Sequence, residues 1–418
     1  MRPSPRQFAS FLCSLSAVLA QDTGAGDDPA GREWIGGLPW SQWTRATGDW
    51  GGQRNELEAM GIEIAGGLTV DFASAWTGDV RRRLSAPSML DFNAAFDLET
   101  LAGWARTIAY IDIYQIEGRD PTDDIGDAQG LSNLIGPDRR QIGELWVETW
   151  LDEHVRLKVG KVDFNSEFAF HEIGGEFVNS TAAIPPTIVG YPTYPDPATS
   201  VNVFYVPNER FYVGAAIYDG ATADGFPTGS RGPSTFFSSN HSDSYFFAAE
   251  AGWSWTGDER WGSGRAVLGM FHHTADFERF DGGQDENTNG FWGSFEQHVW
   301  REDPTTDDGQ GVGVFVAFGL ADEAVSFCGR SFAIGAEWVG CFEGRDHDTL
   351  GFGIFHADLS DEALAGTPAD ETALELLYKI QVTPSLSLKP EFQYILNPGG
   401  QNGVDDVLVG LLRLEIQF

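Results

Sequence analysis

The segment Glu144–Lys161, "ELWVETWLDEHVRLKVGK", shows the pattern that much of the chain repeats. In its first half, Leu145 and Val147 alternate with charged and aromatic residues, and in its second half valine and leucine alternate with arginine and lysine. Successive side chains of a β-strand point to opposite faces. The segment therefore predicts two strands, each with an apolar and a polar face, joined by the short turn 152–154.

The same alternation returns in distant parts of the chain. Asp91–Glu99 ("DFNAAFDLE"), Leu386–Tyr394 ("LSLKPEFQY") and Arg413–Phe418 ("RLEIQF") each place apolar residues on one face and polar residues on the other. With its flanking residues each could extend to about 8–12 residues, the length of a transmembrane β-strand. Alternation alone also fits a soluble sandwich, in which the apolar faces meet in a core.

The connections between these segments favour the membrane interpretation, because short and long ones alternate. Short turns such as "PNE" and "TPS" follow every second strand, and most of the other gaps are long, polar and rich in glycine and proline. We count about sixteen strands, and an even strand number with short turns at one end is typical of outer-membrane barrels. The strands are predicted to start near Ile62, Pro87, Thr107, Gly143, Val155, Ser200, Phe211, Ser244, Gly264, Phe291, Val312, Phe332, Thr349, Thr372, Leu386 and Val407.

Residues 62–418 are therefore predicted to form an all-β fold, a sixteen-stranded antiparallel transmembrane β-barrel. Closure removes the sheet edges and satisfies every backbone group, as lipid requires. Sixteen strands leave a lumen wide enough for water and a solute. An even strand count also places both termini on the periplasmic side.

The N-terminal part is predicted to serve targeting. Residues 1–20 have two arginines, a short apolar core and a small residue at the end, which indicates a signal peptide cleaved near position 20. Residues 21–45 are predicted to be a flexible segment. Residues 46–61 are predicted to hold a short periplasmic helix, with Thr47 or Asp49 as its N-cap and a glycine at its end.

Composition excludes several classes of protein. The chain has 62 acidic and 26 basic residues, and a net charge of −36 repels nucleic acid. After the signal peptide, no apolar run reaches the 18 residues of a membrane helix. Cys328 and Cys341 are predicted to lie at opposite ends of one strand, about 40 Å apart at roughly 3.3 Å per residue, too far for a disulfide.

Four stretches of the chain resemble the carbohydrate-selective porins, the OprB-like family. They are "TGDWGGQRNELEAMGIEI", "LETLAGW", "ELWVETWLDEHVRLKVGKVDFNSEFAF" and "EGRDHDTLGFG". The resemblance covers residues 43–418. It implies a sixteen-stranded outer-membrane pore, not an enzyme, that passes monosaccharides such as glucose and similar small solutes down a gradient. It also implies that external loops fold inward to narrow the lumen. The strong acidity of this chain departs from a typical member.

If sugars pass through the lumen, the polar faces of three consecutive strands near the quoted segment are the candidate site. They combine aromatic rings, which stack on sugar faces, with charged groups, which bind hydroxyls. The residues are Tyr110, Asp112, Tyr114, Glu144, Trp146, Glu148, Arg156 and Lys158. The loop 165–199 is the candidate for an inward-folded constriction, because it carries Phe168, Phe170, Phe177, Tyr191 and Tyr194. Arg81–Arg83 could reach into the mouth or anchor lipopolysaccharide outside.

Three other functions remain open from the residues alone. A general cation-leaning porin would suit the many carboxylates. The alternatives of a different class are a membrane-embedded hydrolase and a soluble secreted lectin-like β-protein. The sequence has no nucleophile elbow, no phosphate-binding glycine loop and no converging set of metal ligands, so we expect no cofactor and no metal. The expected partners are small neutral sugars, outer-membrane lipid and lipopolysaccharide, and the protein could be a monomer or a homotrimer.

Overall fold

The fold is one antiparallel sheet of sixteen strands that closes into a barrel, as the sequence predicted. The computed structural model describes residues 40–134, 136–237, 243–257, 261–303, 309–362 and 364–418. The signal peptide predicted at 1–20 and most of the flexible segment predicted at 21–45 lie outside these residues.

The barrel strands differ by at most a few residues from the predicted starts and are 8 to 14 residues long. They are β1 Ile62–Ala75, β2 Ser88–Asp97, β3 Thr107–Glu117, β4 Arg139–Trp150, β5 Val155–Val162, β6 Ala198–Asn208, β7 Phe211–Asp219, β8 Tyr245–Trp255, β9 Gly264–His273, β12 Thr288–Arg301, β13 Gly311–Ala321, β14 Cys328–Val339, β15 Thr349–Leu359, β16 Glu371–Thr383, β17 Leu386–Leu396 and β18 Val407–Gln417. Between β9 and β12, the two-residue strands β10 (Phe277–Glu278) and β11 (Gln284–Asp285) form a small separate hairpin. The α-helices are α1 Gln53–Ala59, α2 Leu98–Ala102, α3 Thr122–Ile125 and α4 Ser180–Ala183, and the 3-10 helices are Trp40–Gln42, Phe164–Ser166, Thr228–Ser230 and Pro398–Gly400.

The barrel closes where the first strand pairs with the last. β1 and β18 are antiparallel, in a register that runs from Gly67 opposite Gln417 to Ala75 opposite Val409. Every strand of the barrel therefore has two neighbours, and no edge of the sheet is left with unpaired backbone groups.

The two faces of the strands have the predicted orientation. On β4, Leu145 is 51% exposed, whereas its neighbour Trp146 is 4% exposed and points inward. Phe92 on β2 is likewise exposed, and on β18 the buried Arg413 lies between the outward-facing Leu412 and Leu414. The apolar side chains therefore cover the outside of the barrel, and the polar side chains line its interior, as expected for a barrel in lipid.

The connections are sorted between the two ends of the barrel. One end, which we call the turn end, carries short links such as the two residues between β6 and β7. The other end, which we call the loop end, carries long ones, of which 163–197 between β5 and β6 is the longest. Cys328 begins β14 and Cys341 lies two residues beyond its last residue, Val339, and both thiols are free.

The helix predicted before the first strand is present as α1, but the predicted N-cap is wrong. Its N-cap is Gly52, at φ 94°, and no side chain caps the helix. The Asp49 carboxylate instead accepts the N–H of Gly51 at 3.0 Å, because residues 48–52 form a tight turn that glycines at positive φ allow. Gly61, at φ 88°, follows the helix as predicted. No helix in the described residues is long and apolar enough to cross a membrane.

The outward apolar face generates a stability prediction. Leu268 lies in the middle of β9 and is 66% exposed. Arginine at the bilayer midplane costs about 2–4 kcal/mol. We therefore expect Leu268→Arg to lower the unfolding free energy by this amount, measured by urea titration of the protein folded into lipid vesicles. Leu151→Arg, in an exposed turn at the turn end, is the control and should change it by less than about 1 kcal/mol. Equal stability of Leu268→Arg and the wild type would show that this face does not contact acyl chains.

Candidate functional site

All eight residues singled out from the sequence point into the barrel from the adjacent strands β3, β4 and β5. Five of them form one group with a residue that the sequence analysis did not single out, Glu167 of loop 163–197. We call this group the aromatic-charged cluster, and its members are Tyr110, Trp146, Glu148, Arg156, Lys158 and Glu167.

Trp146 is at the centre of this cluster, and both faces of its ring are covered. Tyr110 stacks on it with ring centroids 4.8 Å apart, and the ammonium group of Lys158 lies 4.0 Å from the ring centroid. Because β3 and β5 flank β4 on opposite sides, the two contacts come from opposite directions. The indole is only 4% exposed, so Trp146 is packed between its two neighbours and holds them in place.

The charges of the cluster form a network of two cations and two carboxylates. Glu148 lies 3.3 Å from Arg156 and 3.4 Å from Lys158, and Glu167 pairs with the same two cations. Arg156 also lies over the ring of Phe204, 4.2 Å from its centroid. Burial opposes ionisation of Glu167, but the attraction of Arg156 and Lys158 outweighs it and holds the pKa of this carboxyl below its usual value.

The other three predicted residues lie nearer the loop end, and two of them contact the two ends of loop 163–197. The Tyr114 hydroxyl donates to the carbonyl of Pro195 at 3.3 Å, and Glu144 accepts the N–H of Asp163 at 2.8 Å. Asp112 is the strand partner of Glu144. In this structure, therefore, Tyr114 and Glu144 bind the loop.

Loop 163–197 lies inside the barrel, which confirms the prediction that it folds inward. Its backbone N–H groups donate to four glutamates that point inward from β8, β12, β14 and β16, which we call the carboxylate row. In order along the loop, Ala169 donates to Glu250 (2.8 Å), Glu172 and Ile173 to Glu296 (2.7 and 2.8 Å), Glu176 to Glu337 (3.1 Å), and Val178 and Asn179 to Glu375 (2.8 and 3.0 Å). The loop therefore follows the inner wall across four strands that run in the same direction.

Apolar contacts hold the same loop against the wall. Phe168 and Phe177 are fully buried, and Phe177 packs edge-to-face on Phe355 of β15, 5.5 Å between centroids. The guanidinium carbon of Arg265 lies over the ring of Phe170, 4.3 Å from the ring centroid. Of the five predicted aromatic residues of the loop, these three pack against the barrel interior. Tyr191 packs against an apolar cluster there, and the Tyr194 hydroxyl donates to the carbonyl of Leu134 at 2.6 Å.

The loop between β3 and β4, residues 118–138, also enters the barrel, beside the closing seam. Arg413 of β18 makes a two-pronged contact with Asp71 of β1 at 2.7 and 2.8 Å. The Ser132 hydroxyl donates to the same carboxylate at 2.6 Å, and Arg413 donates to the side chain of Asn133 at 2.9 Å. The N–H of Asn133 donates to the carbonyl of Val178 at 2.8 Å, so the two inward loops are also joined to each other.

A second charged group, the Glu176 cluster, surrounds the middle of loop 163–197. Glu176 contacts Lys379 at 2.6 Å and Lys389 at 2.8 Å, and Glu415 lies 4.0 Å from Lys389. Burial opposes ionisation of Glu176, but the two lysines lower its pKa to about 2. The side chains of Glu176, Lys379 and Glu415 are 25%, 18% and 28% exposed, so this cluster contacts solvent inside the barrel.

The run Arg81–Arg83 divides between two environments at the loop end. Arg83 pairs with Asp124, which also pairs with Arg119, so this arginine ties the first two loops together. The hydrogen bonds lower the pKa of Asp124, with Arg83 the larger cause. Arg81 and Arg82 are exposed.

The carboxylate row was not predicted from the sequence, although its members share a sequence pattern. Each member is an inward carboxylate on a strand of the same direction, with apolar or amide neighbours on either side, as in "AEA" and "LEL". Only the structure shows that these carboxylates accept N–H groups from a distant loop. Among the residues that the structure describes, no group of three or more His, Cys, Asp or Glu is arranged to hold a metal ion.

Comparison with known proteins gives a family match over most of the chain. The model of the carbohydrate-selective porin family, OprB, matches residues 81–418. The putative porin QuiX of Acinetobacter baylyi is 25% identical, with 89% of this chain and 92% of the relative aligned. Porin B of Pseudomonas aeruginosa is 23% identical, with 91% and 92% aligned.

A solved structure shows the same fold. The high-pH structure of Pseudomonas putida OprB superimposes with a TM-score of 0.81 at 21% identity and covers 90% of this chain and 99% of its own. The low-pH structure of the same protein gives a TM-score of 0.63 at 19% identity, with the same coverage.

The carboxylate row generates a prediction for the backbone of the loop. Glu296→Ala removes the acceptor of one buried and one part-buried N–H group, and an unpaired buried group costs about 1–3 kcal/mol. We expect the amides of Glu172 and Ile173 to exchange with deuterium roughly 5- to 150-fold faster, measured by hydrogen-exchange mass spectrometry. Glu296→Gln is the matched control, because it keeps an acceptor oxygen and should exchange nearly as slowly as the wild type. Unchanged exchange in the alanine variant would show that the row does not hold the loop.

Proposed function

The chain belongs to the OprB family of carbohydrate-selective porins and is an outer-membrane sugar channel, and from this premise we propose the path that the sugar takes. The path runs through the lumen along loop 163–197, between the aromatic-charged cluster and the Glu176 cluster. The transported solutes are monosaccharides such as glucose, and they diffuse down their gradient.

The observation that carries this proposal is the position of the loop between two charged groups. Glu167 and Glu176 lie on the same loop, and each pairs with two cations of the barrel wall. Both clusters therefore present both signs of charge. Neighbouring donors and acceptors bind hydroxyl groups well, whereas they give little net attraction to an ion of either sign.

Within the aromatic-charged cluster, the residues have different roles. Arg156 and Glu148 supply a donor and an acceptor for hydroxyls, and Tyr110 supplies an aromatic ring for contact with the sugar. Trp146 positions Tyr110 and Lys158 rather than contacting the sugar itself, since both of its faces are occupied. Each hydrogen bond exchanged with water is worth only about 0.5–1.5 kcal/mol, which suits a channel that must release its solute.

A general cation-leaning porin is the second candidate, because the chain has 62 acidic against 26 basic residues. The contacts of the carboxylates inside the barrel support a cation-leaning porin less than the composition does. The four carboxylates of the row accept N–H groups of the loop, and Glu167 and Glu176 are each paired with cations. These six carboxylates therefore do not form an open row of cation sites.

Membership of this porin family also suggests how the barrel is oriented in the outer membrane. We propose that residues 1–20 direct export and are removed, that both termini lie in the periplasm, and that the loop end faces outward. Short turns on the periplasmic side and long external loops are the general arrangement of bacterial outer-membrane barrels.

The proposed path is tested by conductance in planar bilayers. We expect glucose to reduce the ion conductance of the wild-type channel in a concentration-dependent manner. Glu148→Gln or Trp146→Ala should raise the half-blocking concentration about two- to tenfold, the equivalent of about 0.5–1.5 kcal/mol of lost binding.

Val147→Ala is the matched control, because this residue lies between the two test positions and points out of the barrel. Its half-blocking concentration should equal that of the wild type. A large conductance that no sugar blocks would support the general porin instead. Block that neither variant changes would place the sugar path elsewhere in the lumen.

A further inference from the structure

The outer wall of the barrel carries a basic pocket near the loop end. Its volume is about 340 Å³, and it lies where β4, β5 and the start of β6 meet the segment 229–233 of the loop between β7 and β8. Three cations line it together with two apolar residues: Arg140, Lys161, Arg231, Ile142 and Leu145. This pocket is on the opposite side of the wall from the proposed sugar path.

The strand register shows that the pocket faces outward. Ile142 and Leu145 are exposed on the outside of β4, and Arg140 lies two residues beyond Ile142 on the same face. Lys161 is the strand partner of Leu145 and therefore shares its face. Because β4 runs from the loop end to the turn end, Arg140 lies nearer the loop end than Ile142 and Leu145, whereas Lys161 is level with Leu145.

A short segment from the neighbouring loop folds over this position. The ammonium group of Lys161 donates to the carbonyl of Ile142 at 2.6 Å and to the carbonyl of Gly229. Gly229 belongs to the 3-10 helix Thr228–Ser230, and its N–H donates to Asp196 at 3.0 Å. Lys161 thus holds the segment that carries Arg231 against the outer edge of the strands.

The carboxylates of Asp196 and Glu144 attract Lys161, whereas the two arginines of the pocket have no carboxylate partner among the described residues. In the described part of the chain, the side chains of Arg140 and Arg231 form no ion pair and no hydrogen bond, and Arg231 only lies 5.2 Å from the ring centroid of Phe226. The nearby carboxylate of Asp196 makes a two-pronged pair with Arg139 at 2.9 Å.

Two further carboxylates lie next to the pocket. Glu117 and Asp138 line an adjacent pocket that Arg140 shares. Asp138 accepts the N–H of Gly118 at 2.9 Å, and Glu117 accepts the amide of Gln115. In a chain of net charge −36, two arginines that line one pocket without a carboxylate partner among the described residues indicate that the missing anion comes from outside the protein.

We propose that this pocket binds the phosphate group of a lipid in the outer leaflet, with its acyl chains along Ile142 and Leu145. Arginine side chains pair strongly with phosphate oxygens, and basic pockets beside membrane-spanning elements bind anionic headgroups. The apolar residues of the pocket distinguish a lipid from a free phosphate ion. The proposal relies on the outward orientation of the loop end, but it is independent of which solute the channel passes.

The test compares one lipid with and without its phosphates. Delipidated full-length protein in detergent is titrated with lipid A, a phosphorylated glycolipid, or with dephosphorylated lipid A, and bound lipid is counted by native mass spectrometry. We expect the wild type to bind the phosphorylated form at least tenfold more tightly, and the double variant Arg140→Gln/Arg231→Gln to lose that preference at least tenfold.

Arg106→Gln/Arg210→Gln is the matched control, because it removes two exposed cations in short turns at the turn end, the end of the barrel opposite the pocket. It should keep the full preference. Sugar block of the Arg140→Gln/Arg231→Gln channel should equal that of the wild type, which verifies that the barrel is intact. The proposal is overturned if the two lipids bind equally, if the control loses as much preference as the test variant, or if millimolar inorganic phosphate binds the site as well as the lipid does.

Discussion

The structure depends on the pairing of its first strand with its last. In hydrocarbon, an unpaired backbone N–H or C=O costs several kcal/mol, so a sheet of this size is stable in a membrane only when it has no edge. The pairing of β1 with β18 meets this requirement, and at this seam Arg413 and Asp71 hold each other in a two-pronged ion pair. The same pair binds the loop 118–138, so closure of the wall and placement of an inner loop share one set of contacts.

A closed barrel of sixteen strands encloses far more space than a small solute needs, and the chain fills part of it with its own loops. A loop in that position brings backbone N–H groups away from bulk water, and these must find acceptors. The carboxylate row supplies them: Glu296, for example, accepts two consecutive N–H groups of loop 163–197. Four of the 62 acidic residues of the chain thus position a loop, so the composition alone is a poor guide to the ions or solutes that pass.

The two faces of the wall use charge in different ways. Inside, cations such as Lys158 are balanced by carboxylates, which leaves paired donors and acceptors suited to the hydroxyls of a neutral sugar. Outside, Arg140 and Arg231 have no such partner among the described residues, and they line a pocket together with the apolar Ile142 and Leu145. The proposed sugar path and the proposed lipid site are therefore separated by the thickness of one sheet, and their residues alternate along β4 and β5.

The sequence by itself determined which side chains face lipid and which face the lumen. Strand periodicity is a local property, and a shift of one residue would turn Leu145 inward and Glu148 outward, so only one register keeps charges out of lipid. Alternating connection lengths then determined the strand number and the sorting of turns and loops between the two ends. Three sets of contacts are visible only in the folded protein. They are those of Glu167 with Arg156 and Lys158, those of the carboxylate row with loop 163–197, and those of Tyr110 and Lys158 with the faces of the Trp146 ring. The contacts of the carboxylate row depend on where loop 163–197 runs once the barrel has closed, because they join residues 81 to 197 positions apart in the sequence. Those of Glu167 and Trp146 depend on side-chain conformations that the strand pattern does not determine.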